Sequence, residues 1–264
     1  MSSQTSLYPD ILFHFTNGRT NLFNILDSHF RVSYAREKVE GLGTKREFAV
    51  PMVSFCDLKL SELKTHMGKY GNFGIGLTKE WANRNGLNPV MYINKHCPFT
   101  DNFNNSLNSV FKKIGSHTKG DIFQGISENN IKIFDAYRYI KNYEGTLTRD
   151  GETTEKFRFA DEREWRYVPP ITEQGIPPFV AKSNIDSPTK KRKYNNLAQD
   201  IRLKFEPNDI KYLIVESDSD INHLISHLKD ERLNPVDLNQ HSDPDIIDRL
   251  SSRILTAEQI YRDM

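Results

Sequence analysis

The chain has 264 residues, 37% hydrophobic and 27% charged, long enough to bury a substantial core and expected to form a single domain over 1–264. Its 36 basic and 35 acidic residues nearly cancel, so no global field marks a nucleic-acid or membrane binder, and such a partner would have to meet a local patch. Cys56 and Cys97 lack a Cys-x-x-Cys companion, MSSQTSLYPD lacks a basic and apolar leader, and apolar runs of about 18 residues are missing, so a disulfide framework, a thiolate zinc site, export and membrane insertion are all disfavoured and a cytoplasmic location is expected.

Ile11 to Phe15 reads as a strand ended by Asn17-Gly18, and Leu22, Phe23, Ile25 and Leu26 follow at helical spacings. Arg36 to Glu47, charged and glycine-containing, reads as a loop. Val50 to Phe55 is a second strand, with Pro51 near its start where a missing N–H is tolerated. Leu58 to Tyr70 is a helical pattern closed by Gly71, Asn72 to Leu77 a glycine-rich strand, Lys79 to Asn85 a helical turn, and Pro89 to Ile93 a further strand. Beyond Asn102 a helix is expected near Phe103 to Ile114, a strand near Ile131 to Ile140 and a loop over Glu144 to Glu155. A polar region spans Thr172 to Asn196, Asp209 to Val215 is the clearest apolar strand, and C-terminal helices cover about 219–263. Strands and helices out of regular alternation predict an α+β fold.

In FADEREWRYVPP, Phe159 to Pro170, strand alternation puts Glu162, Glu164, Arg166 and Val168 on one side and Arg163, Trp165 and Tyr167 on the other. One reading is a half-buried sheet, with Trp165 and Tyr167 in the core and the charges in solvent. The other is a cleft-lining carboxylate pair, one group stabilising a developing cation and the other orienting or deprotonating a nucleophile. His14, flanked by Phe13 and Phe15, needs a hydrogen-bond partner if buried. Ser54 lacks the Gly-x-Ser-x-Gly setting of a hydrolase nucleophile, and Gly71, Gly74 and Gly76 lack phosphate-loop spacing, admitting instead the close approach of a backbone or ligand. His66 shares a helical face with Tyr70 and has no second metal ligand placed beside it. Lys190 to Lys193 is the one concentrated basic run, either a solvated loop or a grip on phosphates.

Taken in order, His14-Phe15-Thr16, the stretch Val50 to Asp57, the stretch Tyr70 to Trp81, Asp161 to Pro169 and the closing segment Ile254 to Ile260 resemble the AbiGi family of abortive-phage-resistance proteins, described as antitoxins. More distantly, a histidine strand, a Ser-Phe strand, a helix ending in Tyr-Gly and a Glu-x-Glu strand are similar in order to the ADP-ribosyltransferase superfamily. This second likeness implies split mixed or antiparallel sheets with flanking helices, and an NAD-dependent transfer of ADP-ribose to RNA, DNA or protein. The protein would then be a toxic effector in phage defence held in check by a partner, with NAD as substrate and no metal. By the same likeness Glu164 stabilises the ribosyl cation and Glu162 orients or activates the acceptor. His14, with Phe15 and Thr16 beside it, holds the adenosine ribose and the nicotinamide amide, Ser54 supports the glutamate, and Tyr70 or Phe73 stacks on the nicotinamide ring. The first likeness implies the alternative, a non-enzymatic antitoxin or regulator that binds and neutralises a partner toxin.

Overall fold

Alternation along Ile11–Thr16 (β1) sends Leu12 to one face of a central sheet and Phe13 and Phe15 to the other. In this computed structural model, which describes residues 9–108, 112, 128–149, 151–171, 175–230 and 245–264, the strands that follow are β2 Phe30–Arg31, β3 Ser33–Glu40, β4 Lys45–Cys56, β5 Phe73–Thr78, β6 Asn88–Pro89, β7 Met91–Ile93 and β8 Ile140–Asn142. The remainder are β9 Glu144–Arg149, β10 Glu152–Arg158, β11 Glu164–Tyr167, β12 Val180–Ala181, β13 Arg202–Leu203, β14 Ile210–Val215 and β15 Ile254–Thr256. A nine-stranded sheet runs β15-β14-β5-β1-β4-β11-β6, with β3 and β12 also paired to β4. Strands and helices are thus mixed, with antiparallel pairing at the centre and parallel pairing of β14 with β15 and of β7 with β8.

The helices Arg19–Ser28 and Asp218–Leu228 lay Leu22, Leu26, Leu224 and Leu228 over the face that carries Leu12, Val53, Ile75 and Leu213. On the opposite face Leu63–Tyr70 and Ala257–Asp263 cover Phe13, Phe15, Cys56 and Ile214 through Leu63, Met67 and Ile260. The glycines of β5 have a packing reason. Gly76 sits across from Phe13 and Gly74 across from Phe15, and a Cβ at either position would come within 2.8 Å of the facing ring. Gly71, which ends the helix at φ 107, passes so close to Thr16 that a Cβ would lie 2.2 Å from its carbonyl oxygen.

Several expectations are corrected. The loop expected over Arg36 to Glu47 shrinks to the turn at 41–44: β3 and β4 pair without interruption from Ser33 opposite Met52 to Glu40 opposite Lys45, because buried Tyr34 and Val39 anchor an otherwise charged strand. Pro51 therefore sits in the middle of β4, opposite Tyr34, between the segments that pair with β11 and β12, so its missing N–H interrupts neither ladder. Ile131 to Ile140 is the helix Glu128–Ala136 and a 3₁₀ turn at Tyr137–Tyr139, with Tyr137 and Ile140 buried at a helical spacing while Ile133 is exposed. The supposed loop Glu144 to Glu155 is the hairpin β9–β10, turned at Gly151 with φ 86; its β10 strand is polar and exposed, which left no alternation to read. Pro89 to Ile93 divides into β6 and β7, and the polar region contains the helix Pro188–Leu197. The C-terminal helices are interrupted by β15, which pairs in parallel with β14. The helix placed near Phe103 to Ile114 starts at Pro98 and ends at Ser106; positions 109–111, 113 and 114 lie outside the described residues.

Candidate active site

β3 and β1 succeed one another along one edge of β4, β3 opposite Lys45 to Met52 and β1 opposite Cys56, while β11 and β12 share the other edge. Between β3 and β1 the strands splay, leaving the Ser54 carbonyl without a strand partner on that side. The imidazole of His14 fills the place, with Nδ1 2.8 Å from the Ser54 oxygen. A carbonyl only accepts, so Nδ1 carries the proton and Nε2 is left as an acceptor. Burial against Phe30 and Phe55, with ring centroids at 5.2 and 5.6 Å, lowers the His14 pKa more than the Ser54 bond raises it, which keeps the ring neutral at pH 7.

A cleft of about 620 Å³ opens at this fork and is lined by His14, Phe15, Ser54, Tyr70, Glu162 and Glu164, together with Glu37, His66, Lys141 and the hairpin residues Thr146 to Thr148. The two glutamates arrive by different routes, which corrects the expectation that one strand presents both. Glu164 begins β11, whereas Glu162 ends a 3₁₀ turn over Phe159–Glu162, and Arg163 between them adopts the left-handed φ of 43°. Such a conformation costs roughly 1–2 kcal/mol in a residue with a Cβ. The Arg163 guanidinium is held by Glu62 at 3.0 and 3.3 Å. The corner lets both carboxylates reach one ammonium: Lys141 Nζ lies 2.9 Å from Glu164 and 3.1 Å from Glu162.

Glu164 accepts two hydrogen bonds on each oxygen. Ser54 Oγ at 2.8 Å and Arg166 Nε at 2.6 Å reach Oε1, and Lys141 and a second Arg166 nitrogen at 3.1 Å reach Oε2. Its backbone N–H donates to the Tyr92 hydroxyl at 2.9 Å, and burial pushes that phenol up to about 12. Arg166 also donates to Glu37 at 2.7 Å and to the Arg138 carbonyl at 3.0 Å. Tyr70 donates to Glu162 at 2.6 Å. The reading with solvated charges and a buried aromatic face is thus corrected: Arg166 is 0% and Glu164 7% exposed, while Trp165 and Tyr167 are only partly buried against the main core.

Burial alone would raise the Glu164 pKa, but Arg166 and Lys141 outweigh it and hold the carboxyl well below the usual carboxylate range. Burial dominates at Glu37 and raises it despite Arg166. Burial also opposes the Lys141 charge, yet Glu164, Glu37 and Glu162 together keep that ammonium well above its ordinary value. Burial and the nearby Glu162 push Tyr70 up, so its hydroxyl remains a neutral donor. Tyr70 stacks on His66 at 4.3 Å, and Phe15 lies 5.7 Å from the same imidazole, giving the cleft one aromatic wall.

His14, Phe15, Ser54, Tyr70, Glu162 and Glu164 therefore meet in one cleft, but Thr16 and Phe73 do not line it. They pair across β1 and β5, with Phe73 packed into the main core, so a stacking role for its ring is corrected. Sequence reading missed Lys141, Glu37 and Tyr92, which stand on strands with no distinguishing pattern. His66 had announced itself only by lying four residues from Tyr70. Among the described residues no cluster of three or more His, Cys, Asp or Glu is placed to hold a metal ion, and no helix is long and apolar enough to cross a membrane.

The family model described as "Putative abortive phage resistance protein AbiGi, antitoxin" matches residues 28–216. Among curated proteins the chain is similar to the abortive phage resistance protein AbiGi of Lactococcus lactis subsp. cremoris, at 27% identity over 198 residues that cover 70% of this chain and 78% of that protein. No solved structure matches the chain. Since the family model takes in β3, β4 and the Glu162–Glu164 corner, and well over half of the sequence, the chain belongs to the AbiGi family of abortive phage resistance proteins.

Proposed function

We propose that this abortive phage resistance protein is an NAD-dependent ADP-ribosyltransferase with an ADP-ribosyltransferase-like fold, acting on a macromolecular acceptor. The observation that carries the reading is convergence. His14, Ser54, Tyr70, Glu162 and Glu164 come from four separate stretches of sequence and line one cleft, with Glu164 unprotonated beside an aromatic wall. In the reaction the bond between the ribose C1′ and nicotinamide breaks, and nicotinamide departs with the electron pair. Glu164 stabilises the ribosyl cation as it forms. All four of its lone-pair positions are taken, so a ribose hydroxyl binds by replacing the Lys141 ammonium, the donor on the most flexible stem, which stays paired with Glu162. Phe15, His66 and Tyr70 flank the nicotinamide ring, the acceptor nucleophile bonds to C1′ in its place, and Glu162 accepts the proton that the nucleophile releases.

The test is release of nicotinamide from labelled NAD by the purified chain, with and without cell lysate, followed by nuclease or protease digestion of whatever becomes labelled. Glu164→Gln, which keeps the shape and removes the charge, is expected to lower release by about 10³-fold. Two observations favour the second reading, a binding protein that neutralises a partner toxin: the word antitoxin in the family description, and the full set of internal hydrogen bonds on Glu164, which is also how a purely structural ion network is satisfied. If the wild-type chain releases no nicotinamide, and the wild type and Glu164→Gln bind and relieve the same toxin equally, this second reading replaces the first.

A further inference from the structure

Resting on the NAD reading, we propose that Lys191 and Arg36 form a diphosphate-binding subsite in the same cleft, so that the helix Pro188–Leu197 recognises the charged middle of the dinucleotide. Four basic side chains line the cleft: Arg36, Lys38, Lys141 and Lys191. Lys141 is committed to Glu162 and Glu164, and Lys38 to Glu40 at 2.8 Å. Arg36 is fixed by a neutral group, its Nε and one terminal nitrogen donating to the Ile185 carbonyl, and it has no ion-pair partner within reach, nor a hydrogen bond on its other terminal nitrogen, among the described residues. Asp186, close enough to feel Arg36, is engaged by Lys190 at 2.9 Å. The Lys191 ammonium has no ion-pair partner among the described residues, although the side chain is partly buried.

Burial first, and the neighbouring Arg36 second, depress the Lys191 pKa, so both make its charge costly to hold. A phosphate oxygen relieves both penalties through charge-assisted hydrogen bonds. The backbone adds donors. On the free edge of β3, the Tyr34 N–H is capped by Asn195 and the Glu40 N–H by Asn142, each at 2.8 Å. The register between them is unbroken, so the N–H groups of Arg36 and Lys38 share that parity and point to the same edge, where Ala35 to Lys38 line the cleft. The subsite thus offers two side-chain cations and two backbone N–H groups. That donor set suits a diphosphate better than a neutral sugar or base.

Calorimetric titration of the full chain with NAD, ADP-ribose, inorganic pyrophosphate and nicotinamide riboside tests the proposal, using Lys191→Gln and the exposed control Lys193→Gln, which removes the same charge outside the cleft. Lys191→Gln is expected to weaken NAD, ADP-ribose and pyrophosphate by about tenfold or more, leave nicotinamide riboside unchanged and flatten the salt dependence, while Lys193→Gln does none of these. Equal NAD affinity in the wild type and Lys191→Gln overturns the subsite and leaves the NAD reading standing. Pyrophosphate binding that depends on Lys191, in a chain that does not bind NAD, sustains the subsite and removes the NAD reading. Failure of every phosphate-bearing probe to bind overturns the subsite.

Discussion

At one end of the central sheet β14 is buried by hydrocarbon: Ile210, Leu213, Ile214 and Val215 are all fully inaccessible and pack against apolar helices. Toward the other end β11 also buries two residues, but what it places under cover is Glu164 and Arg166, tied to Glu37, Glu162 and Lys141. Hydrocarbon contacts are non-directional and nearly independent of one another, so damage there is graded. In the ion network three carboxylates face two cations, Lys141 shared by Glu162 and Glu164 and Arg166 by Glu164 and Glu37, so removing Arg166 leaves Glu37 buried without its cation. Burial alone therefore says little about how a region fails.

The contrast is broken most severely by Arg166→Met, which strips Glu164 and Glu37 of their shared guanidinium and is expected to cost about 4 kcal/mol in denaturant unfolding. Adding Glu164→Gln should return about 1 kcal/mol or more of that loss, since the two positions act as one unit. Simple addition of the two costs would show that they do not. Leu213→Ala, at the hydrocarbon end, should cost about 3 kcal/mol and add to Glu164→Gln within about 0.5 kcal/mol.

The smallest effect concerns pH. The folded pKa of His14 lies below its ordinary 6.5, so the native state holds this proton less readily than the unfolded chain does. Its contribution to stability is present above pH 6.5 and is lost as pH falls below it, by at most about 1.4 kcal/mol per pH unit. Urea midpoints at pH 7 and 5.5 should differ less in His14→Gln than in the wild type. Equal differences would mean that the imidazole is not held neutral at the fork.

The hydrocarbon end was legible because its physics is written in local patterns. The strands expected over Asp209 to Val215 and Ile11 to Phe15 are found at Ile210–Val215 and Ile11–Thr16, and Gly71 ends a helix as expected. The charged end was only half legible. The glutamates stood out in FADEREWRYVPP, and His14 was seen to need a partner, yet that partner is a main-chain oxygen exposed by strand divergence, which no periodicity encodes. The hairpin β9–β10 and the strand β3 were read as loops because their residues are charged, although strand pairing requires only backbone groups and a few anchors such as Tyr34 and Val39. Lys141 was missed altogether, since its meaning comes from what lies opposite it in space.

The left-handed residue Arg163 has one more consequence. In a straight strand the interval between two alternate acidic groups is fixed by the pleat, at roughly 7 Å, and bending the whole sheet would be needed to change it. Here the left-handed torsions of Arg163 take Glu162 out of the pleat, and Lys141 then draws the two acid groups to one ammonium. The pair behaves as a pincer with its pivot between the jaws, and the pivot is pinned to the end of β4, since the Asp57 N–H donates to the Arg163 carbonyl at 3.1 Å.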